Sequence, residues 1–140
     1  MQNLLLETAH FTVSQAGAYH VPGYVIIESK ADVTRLADLE PVARVELFEL
    51  IVAAEAAVEE YASAERVYVL KFAELNPRVH FHIVPRTARI GTLFGAATAA
   101  KPPFNGAALV AWLWEHHDSL GYTADELEAF VRAAREGLAR

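Results

Sequence analysis

The chain has 140 residues, a net charge of −6, 54% hydrophobic and 21% charged residues, and no cysteine. That length fits one ordinary domain, and that share of apolar residues excludes a disordered chain. The absence of cysteine excludes disulfides, thiolate metal sites and a cysteine nucleophile, and the acidic total argues against a general nucleic-acid binder.

No apolar stretch approaches the ~20 residues of a membrane span. Met1 to Glu7 has three leucines and no basic residue, so a signal peptide is not expected there. The expectation is a cytoplasmic protein with no membrane and no nucleic-acid partner.

In chain order, Leu4 to Glu7 and Phe11 to Ser14 are predicted as short strands. Gln15 to His20 is a loop, Val21-Pro22-Gly23 a turn, and Tyr24 to Glu28 a buried strand of β-branched apolar residues. Pro41 suits the first turn of a helix, where its missing N–H has no intrahelical role. Val45, Phe48, Ile51, Val52, Ala54 and Val58 recur at helical spacing, predicting an amphipathic helix over 41–62 with those residues on the core face. Arg66 to Phe72 and Val79 to Val84 read as strands around an Asn76-Pro77 turn. Pro85 is expected to mark a strand end or an edge.

Thr87 to Pro103, with Gly91, Gly95 and many alanines, reads as a mobile loop with at most one helical turn. Asn105 can cap a helix to about His117, and Thr123-Ala124-Asp125-Glu126 is a capping box that starts a last helix. The fold class is therefore α+β. A mainly antiparallel sheet of about five strands carries one long helix. Residues 1–140 form a single domain, of which 104–140 is a two-helix C-terminal extension.

The segment with chemical content is Arg78-Val79-His80-Phe81-His82-Ile83-Val84-Pro85-Arg86. In a strand, alternate side chains share a face. Val79, Phe81 and Ile83 would face the core. Arg78, His80, His82, Val84 and Arg86 would share the face away from it. Lys71 and Arg89 add positive charge nearby in sequence. Three readings of the histidine pair are open. They are solvated surface residues; or two ligands of a metal, whose third would have to come from His10, His20, Glu74 or His116-His117; or nucleophile and assistant in catalysis at phosphorus. His116 and His117 are expected to serve the helix C-terminal dipole, and Trp112 and Trp114 to make core or dimer contacts.

The run Val79 to Arg86 resembles the end of the histidine-triad signature. Val21-Pro22-Gly23-Tyr24 to Lys30 resembles the same family's Pro-Gly-His strand, and Leu36 to Pro41 its entry into a long helix. The resemblance covers about Leu4 to Arg86. It implies a homodimer and a nucleotidyl hydrolase or transferase that needs no metal or cofactor for its covalent step. The substrate it implies is a small nucleotide or other phosphate-containing molecule, such as a dinucleoside polyphosphate or phosphoramidate. His80 would be the nucleophile, His82 would contact the phosphate and leaving group, and Arg78, Arg86 and Asn76 would bind phosphate. This chain departs from the pattern at four positions. Arg78 replaces the first triad histidine and Tyr24 the histidine after Pro-Gly. Ala16 stands where a ribose-binding acid or amide is usual, and Leu75 where a small hydroxyl residue is usual. An altered phosphate- or nucleotide-binding protein without catalysis is the alternative that these departures imply.

Overall fold

The computed structural model describes residues 3–140. Met1 and Gln2, the start of the segment considered above as a signal peptide, lie outside the described residues. The strands are β1 (Leu4–Glu7), β2 (Phe11–Gln15), β3 (Val25–Ser29), β4 (Ala64–Leu70) and β5 (His80–Thr87). The helices are α1 (Pro41–Tyr61), α2 (Ala88–Thr98), α3 (Gly106–His116) and α4 (Ala124–Leu138). All strand pairs are antiparallel, and the order across the sheet is β1-β2-β3-β5-β4. The α+β class stands.

Both faces of this sheet are covered. Phe11, Val13, Val25, Ile27, Val79 and Ile83 pack under α1 and α4, joined by Phe130, Val131 and Ala134. On the other face, Val21, Tyr24 and Val84 pack with Ile90 and Phe94 of α2 and with Leu109, Val110 and Leu113 of α3. The helices after residue 104 thus contribute to both cores. The face expected to point away from the core is in fact half covered: Val84 is fully buried there.

Three sequence expectations need correction. Residues 88–98 are a helix rather than a loop. The Thr87 hydroxyl caps it by accepting from Ile90 N at 3.3 Å, and a Cβ on Gly91 would lie 3.4 Å from the Phe104 ring. That is an ordinary van der Waals distance; the tighter approach in this helix is at Gly95, where a Cβ would lie 3.1 Å from Ala100 O. The core face of α1 is also different. Ala43, Leu47, Leu50, Ala54, Ala57 and Val58 are buried, whereas Val42, Val45, Phe48 and Val52 are exposed. The helix is apolar on two opposite sides, and the side richer in alanine is the one that can approach the sheet closely.

Finally, β5 does not end at Val84 but runs on to Thr87, so of the two expectations for Pro85 the strand end fails and the edge holds. The last β3 pairing is Val25 with Ile83, while β4 continues to pair beyond it. At Pro85 the strand has therefore already lost one neighbour, a position that tolerates a missing donor.

Two devices position the loop between β2 and β3. Gly23 has φ +92°, and a Cβ there would lie 2.6 Å from that of Ala62. The buried Gln15 side chain donates to Val21 O at 2.9 Å and accepts from Gly23 N at 3.0 Å. One amide thus closes the loop across its base.

Candidate active site

His80 and His82 stand side by side on β5, opposite Glu28 and Ile26 of β3, with ring centroids 5.1 Å apart. They line a cavity of about 360 Å³. Its walls are Ala16 to Tyr19 from the β2–β3 loop, Phe72 to Asn76 from the β4–β5 connection, and Trp114 from α3. The cavity lies at the end of the sheet face that α2 and α3 leave open.

His80 is 9% exposed, and its Nδ1 lies 2.7 Å from the Arg78 carbonyl oxygen. The Arg78 side chain turns elsewhere. Its Nη1 donates to Ser29 O at 3.5 Å and Lys30 O at 3.4 Å, and its Nε lies 4.0 Å from Glu28 Oε2 and 3.8 Å from Asp32 Oδ1. Arg86 is six residues past His80, about 20 Å along a strand, with its guanidinium 5.6 Å from the centroid of the Phe104 ring. Neither expected phosphate-binding arginine lines the cavity. Asn76 does line it, with Nδ2 donating to Glu28 Oε2 at 3.0 Å and Oδ1 accepting from Arg78 N at 3.2 Å. Lys71 and Arg89 do not line it, and Arg89 pairs with Glu126 at 2.9 Å. Among the described lining residues, the ionisable groups besides the histidines and Tyr19 are the carboxyls of Glu28 and Glu74. Leu75 is fully exposed on the rim.

His82 has partners that strand periodicity could not reveal. Tyr24 Oη lies 2.7 Å from His82 Nδ1, and Trp114 Nε1 donates to the same Oη at 2.8 Å. The Tyr24 ring is fully buried, stacked on Tyr19 at 4.8 Å and edge-on to His82 at 5.7 Å. Burial, and secondarily the neighbouring His80, holds the His82 imidazole below its ordinary pKa. Burial likewise pushes the Tyr24 phenol far up. Trp114 packs against the second core, as expected, and also brings α3 into the wall of the cavity. Trp112 packs on Phe94 and His116, as a core residue does.

The remaining histidines divide. His10 Nδ1 lies 2.6 Å from Glu46 Oε2. His116 Nδ1 lies 2.8 Å from its own helix's Trp112 O. His20, His117 and Asp118 place one ligand-type atom each within 4.8 Å of one another, the one such group of three among the described residues. His117 Nδ1 already accepts the backbone N–H of His20 at 3.2 Å. His20 therefore meets His117, not the His80-His82 pair for which it was considered as a third ligand.

No family model matches this sequence, and no curated protein does. Solved structures do match. A histidine triad protein from Bradyrhizobium japonicum is 17% identical with a TM-score of 0.63, covering 97% of this chain and 90% of its own. A hypothetical histidine triad nucleotide-binding protein from Sulfolobus tokodaii is 11% identical with a TM-score of 0.64, covering 99% and 85%. A zinc-bound histidine triad family protein from Mycobacterium smegmatis is 17% identical with a TM-score of 0.57, again covering 99% and 85%. The chain therefore has the fold of the histidine-triad proteins, and His80 and His82 stand at the part of the sheet face that its helices leave open.

Proposed function

We propose that this chain is a nucleotidyl hydrolase or transferase. It acts at the α-phosphate of a nucleotide derivative, a dinucleoside polyphosphate, phosphoramidate or similar compound, through a nucleotidyl intermediate on His80. The observation that carries this reading is the bond between His80 Nδ1 and Arg78 O. A carbonyl oxygen only accepts, so Nδ1 carries the proton, and the neutral ring keeps its lone pair on Nε2. That lone pair attacks phosphorus, forming an N–P bond as the bond to the leaving group breaks. Water or another acceptor then attacks the same phosphorus, releasing the nucleotide and returning the electron pair to Nε2. His82 contacts the phosphoryl oxygens, and Asn76 is the remaining candidate of the three for a phosphate contact.

A second reading, a nucleotide- or phosphate-binding protein without turnover, has its own support. The cavity is lined by Glu28 and Glu74 but by no lysine or arginine among its described residues, so no cation there stabilises the charge on a transferring phosphoryl group, which counts against turnover. The two readings part on one experiment. The protein is incubated with a panel of nucleotide phosphoramidates and dinucleoside polyphosphates, and its intact mass is measured after acid-free quenching. The enzyme reading expects a nucleotide-sized adduct that His80→Ala lacks. Binding in equilibrium dialysis with no adduct and no product would leave the second reading.

We further propose a homodimer. The outer stripe of α1 (Val42, Val45, Phe48, Val52) and the edge strand β4, with Val69 and nearby Phe72, leave apolar side chains exposed on one molecule. An unpaired edge beside such a stripe is a surface that a second copy would cover.

A further inference from the structure

We propose that Tyr24, held by Trp114 of the C-terminal extension, is a positioning residue that fixes His82 as the neutral Nε2–H tautomer, so that His82 presents a hydrogen-bond donor to the cavity. The inference rests on the phosphoryl-transfer reading for its purpose, not for its geometry.

The direction of each hydrogen bond follows from what each group is able to do. Indole Nε1–H is a donor with no acceptor capacity. Trp114 Nε1 therefore donates to Tyr24 Oη over their 2.8 Å separation. The Tyr24 hydroxyl, having accepted from the indole, turns its own proton to the other close partner, His82 Nδ1 at 2.7 Å. Nδ1 then accepts, and the ring's single proton sits on Nε2. The adjacent imidazole is set the opposite way: His80 Nδ1 donates to a carbonyl, leaving Nε2 bare. Two histidines on one strand face thus carry opposite polarity, one a lone pair and one an N–H.

The same chain limits what His82 does. Giving up its Nε2 proton would require an imidazolate, or transfer of the Tyr24 proton to Nδ1. The latter would leave a phenolate in a fully buried position, edge-on to the imidazole and stacked on Tyr19. Burial opposes that charge. His82 therefore keeps its proton and holds a phosphoryl or leaving oxygen by hydrogen bonding, and the leaving group takes its proton from water. The arrangement gives the tail a role in the site: without Trp114 the Tyr24 hydroxyl is free to accept from Nδ1 as readily as to donate to it.

The test uses the full chain with ¹⁵N-labelled histidine, reading the Nδ1 and Nε2 shifts and ring couplings of His82 at pH 7.5. The His82 signals are assigned by their loss in His82→Gln. The expected result is a single Nε2–H tautomer in the unaltered protein and a mixture with Nδ1–H in both Tyr24→Phe and Trp114→Phe. The second variant keeps the Tyr24 hydroxyl and carries the test if the first does not fold. An Nδ1–H tautomer in the unaltered protein, or spectra unchanged in both variants, would overturn the proposal. AMP affinity is measured in parallel, with a loss of about tenfold expected in each variant. Wild-type protein that shows the tautomer but binds no AMP would sink the nucleotide reading while leaving the positioning role intact.

Discussion

The imidazole of His80 bonds at 2.7 Å to the backbone of Arg78, not to its side chain. Any residue at position 78 supplies the same carbonyl. An arginine at position 78 is thus compatible with an oriented His80 imidazole, and its guanidinium serves the end of β3 instead.

Arg78→Ala and Arg78→His are therefore both expected to keep adduct formation within about threefold of the unaltered protein. The side chain's ion pairs with Glu28 and Asp32 are partly exposed, so their loss should lower stability by only about 0–1 kcal/mol. Urea unfolding and intact mass on the same samples check both halves. A loss of adduct in both variants would show that the guanidinium reaches the phosphate after all.

His80→Ala should abolish the adduct and reduce turnover by at least about 10³-fold, since the neighbouring His82, with its proton on Nε2, has no lone pair there to take over the attack. His82→Ala should reduce turnover by about 10²-fold while a slow adduct still accumulates. Equal residual rates for the two would contradict the division of roles.

Acidification should destabilise the protein through His82. Its pKa is lowered on folding, so between the ordinary histidine value near 6.5 and the folded value, the unfolded chain binds the extra proton and the native state does not. Stability is complete above about pH 6.5 and falls as pH drops through that window. The drop in urea midpoint from pH 7.5 to 5 should be smaller in His82→Gln than in the unaltered protein. An equal or larger drop would remove His82 as a source.

Truncation after Pro103 should not give a smaller folded domain. It would remove Leu109, Leu113, Phe130 and Val131 from the two cores, each a loss of about 2–5 kcal/mol on its own. Circular dichroism of the truncated chain should show no cooperative melt. A sharp transition would instead make residues 104–140 a separable extension.

Light scattering at micromolar concentration should give twice the chain mass, and Phe48→Glu, on the outer side of α1, should return the mass of one chain. A monomer before substitution would leave the exposed stripe without an intramolecular or dimeric purpose.

The strands and the histidine pair were legible because period-two alternation and local turn signals are properties of neighbouring residues. The failures share a different physics. Leu47 and Phe48 are both apolar and adjacent, yet 7% and 66% exposed; when a helix has two apolar sides, sequence alone does not say which one meets the sheet. Gly91 and Gly95 looked like loop signals, yet both lie within α2, where only Gly95 has a close neighbour, Ala100 O at 3.1 Å from where a Cβ would stand. The bond from Trp114 to Tyr24 spans 90 residues, and no local pattern announces it. The two arginines do not line the cavity for a simpler cause: sharing a strand face is not sharing a site when one residue lies at the strand's far end and the other bends back toward a neighbouring strand.

Gln15 bonds both Val21 and Gly23 from its buried position at the base of the β2–β3 loop. The segment from Ala16 to His20 is therefore a closed ring in all but covalent terms, fastened before any ligand arrives. A molecule entering beside Tyr19 meets a wall whose conformational entropy has already been given up in folding, so its affinity is not diminished by ordering that wall. Gln15→Ala would transfer that ordering from folding to binding, and ligands that lean on the loop would lose affinity while those held only at His80 would not.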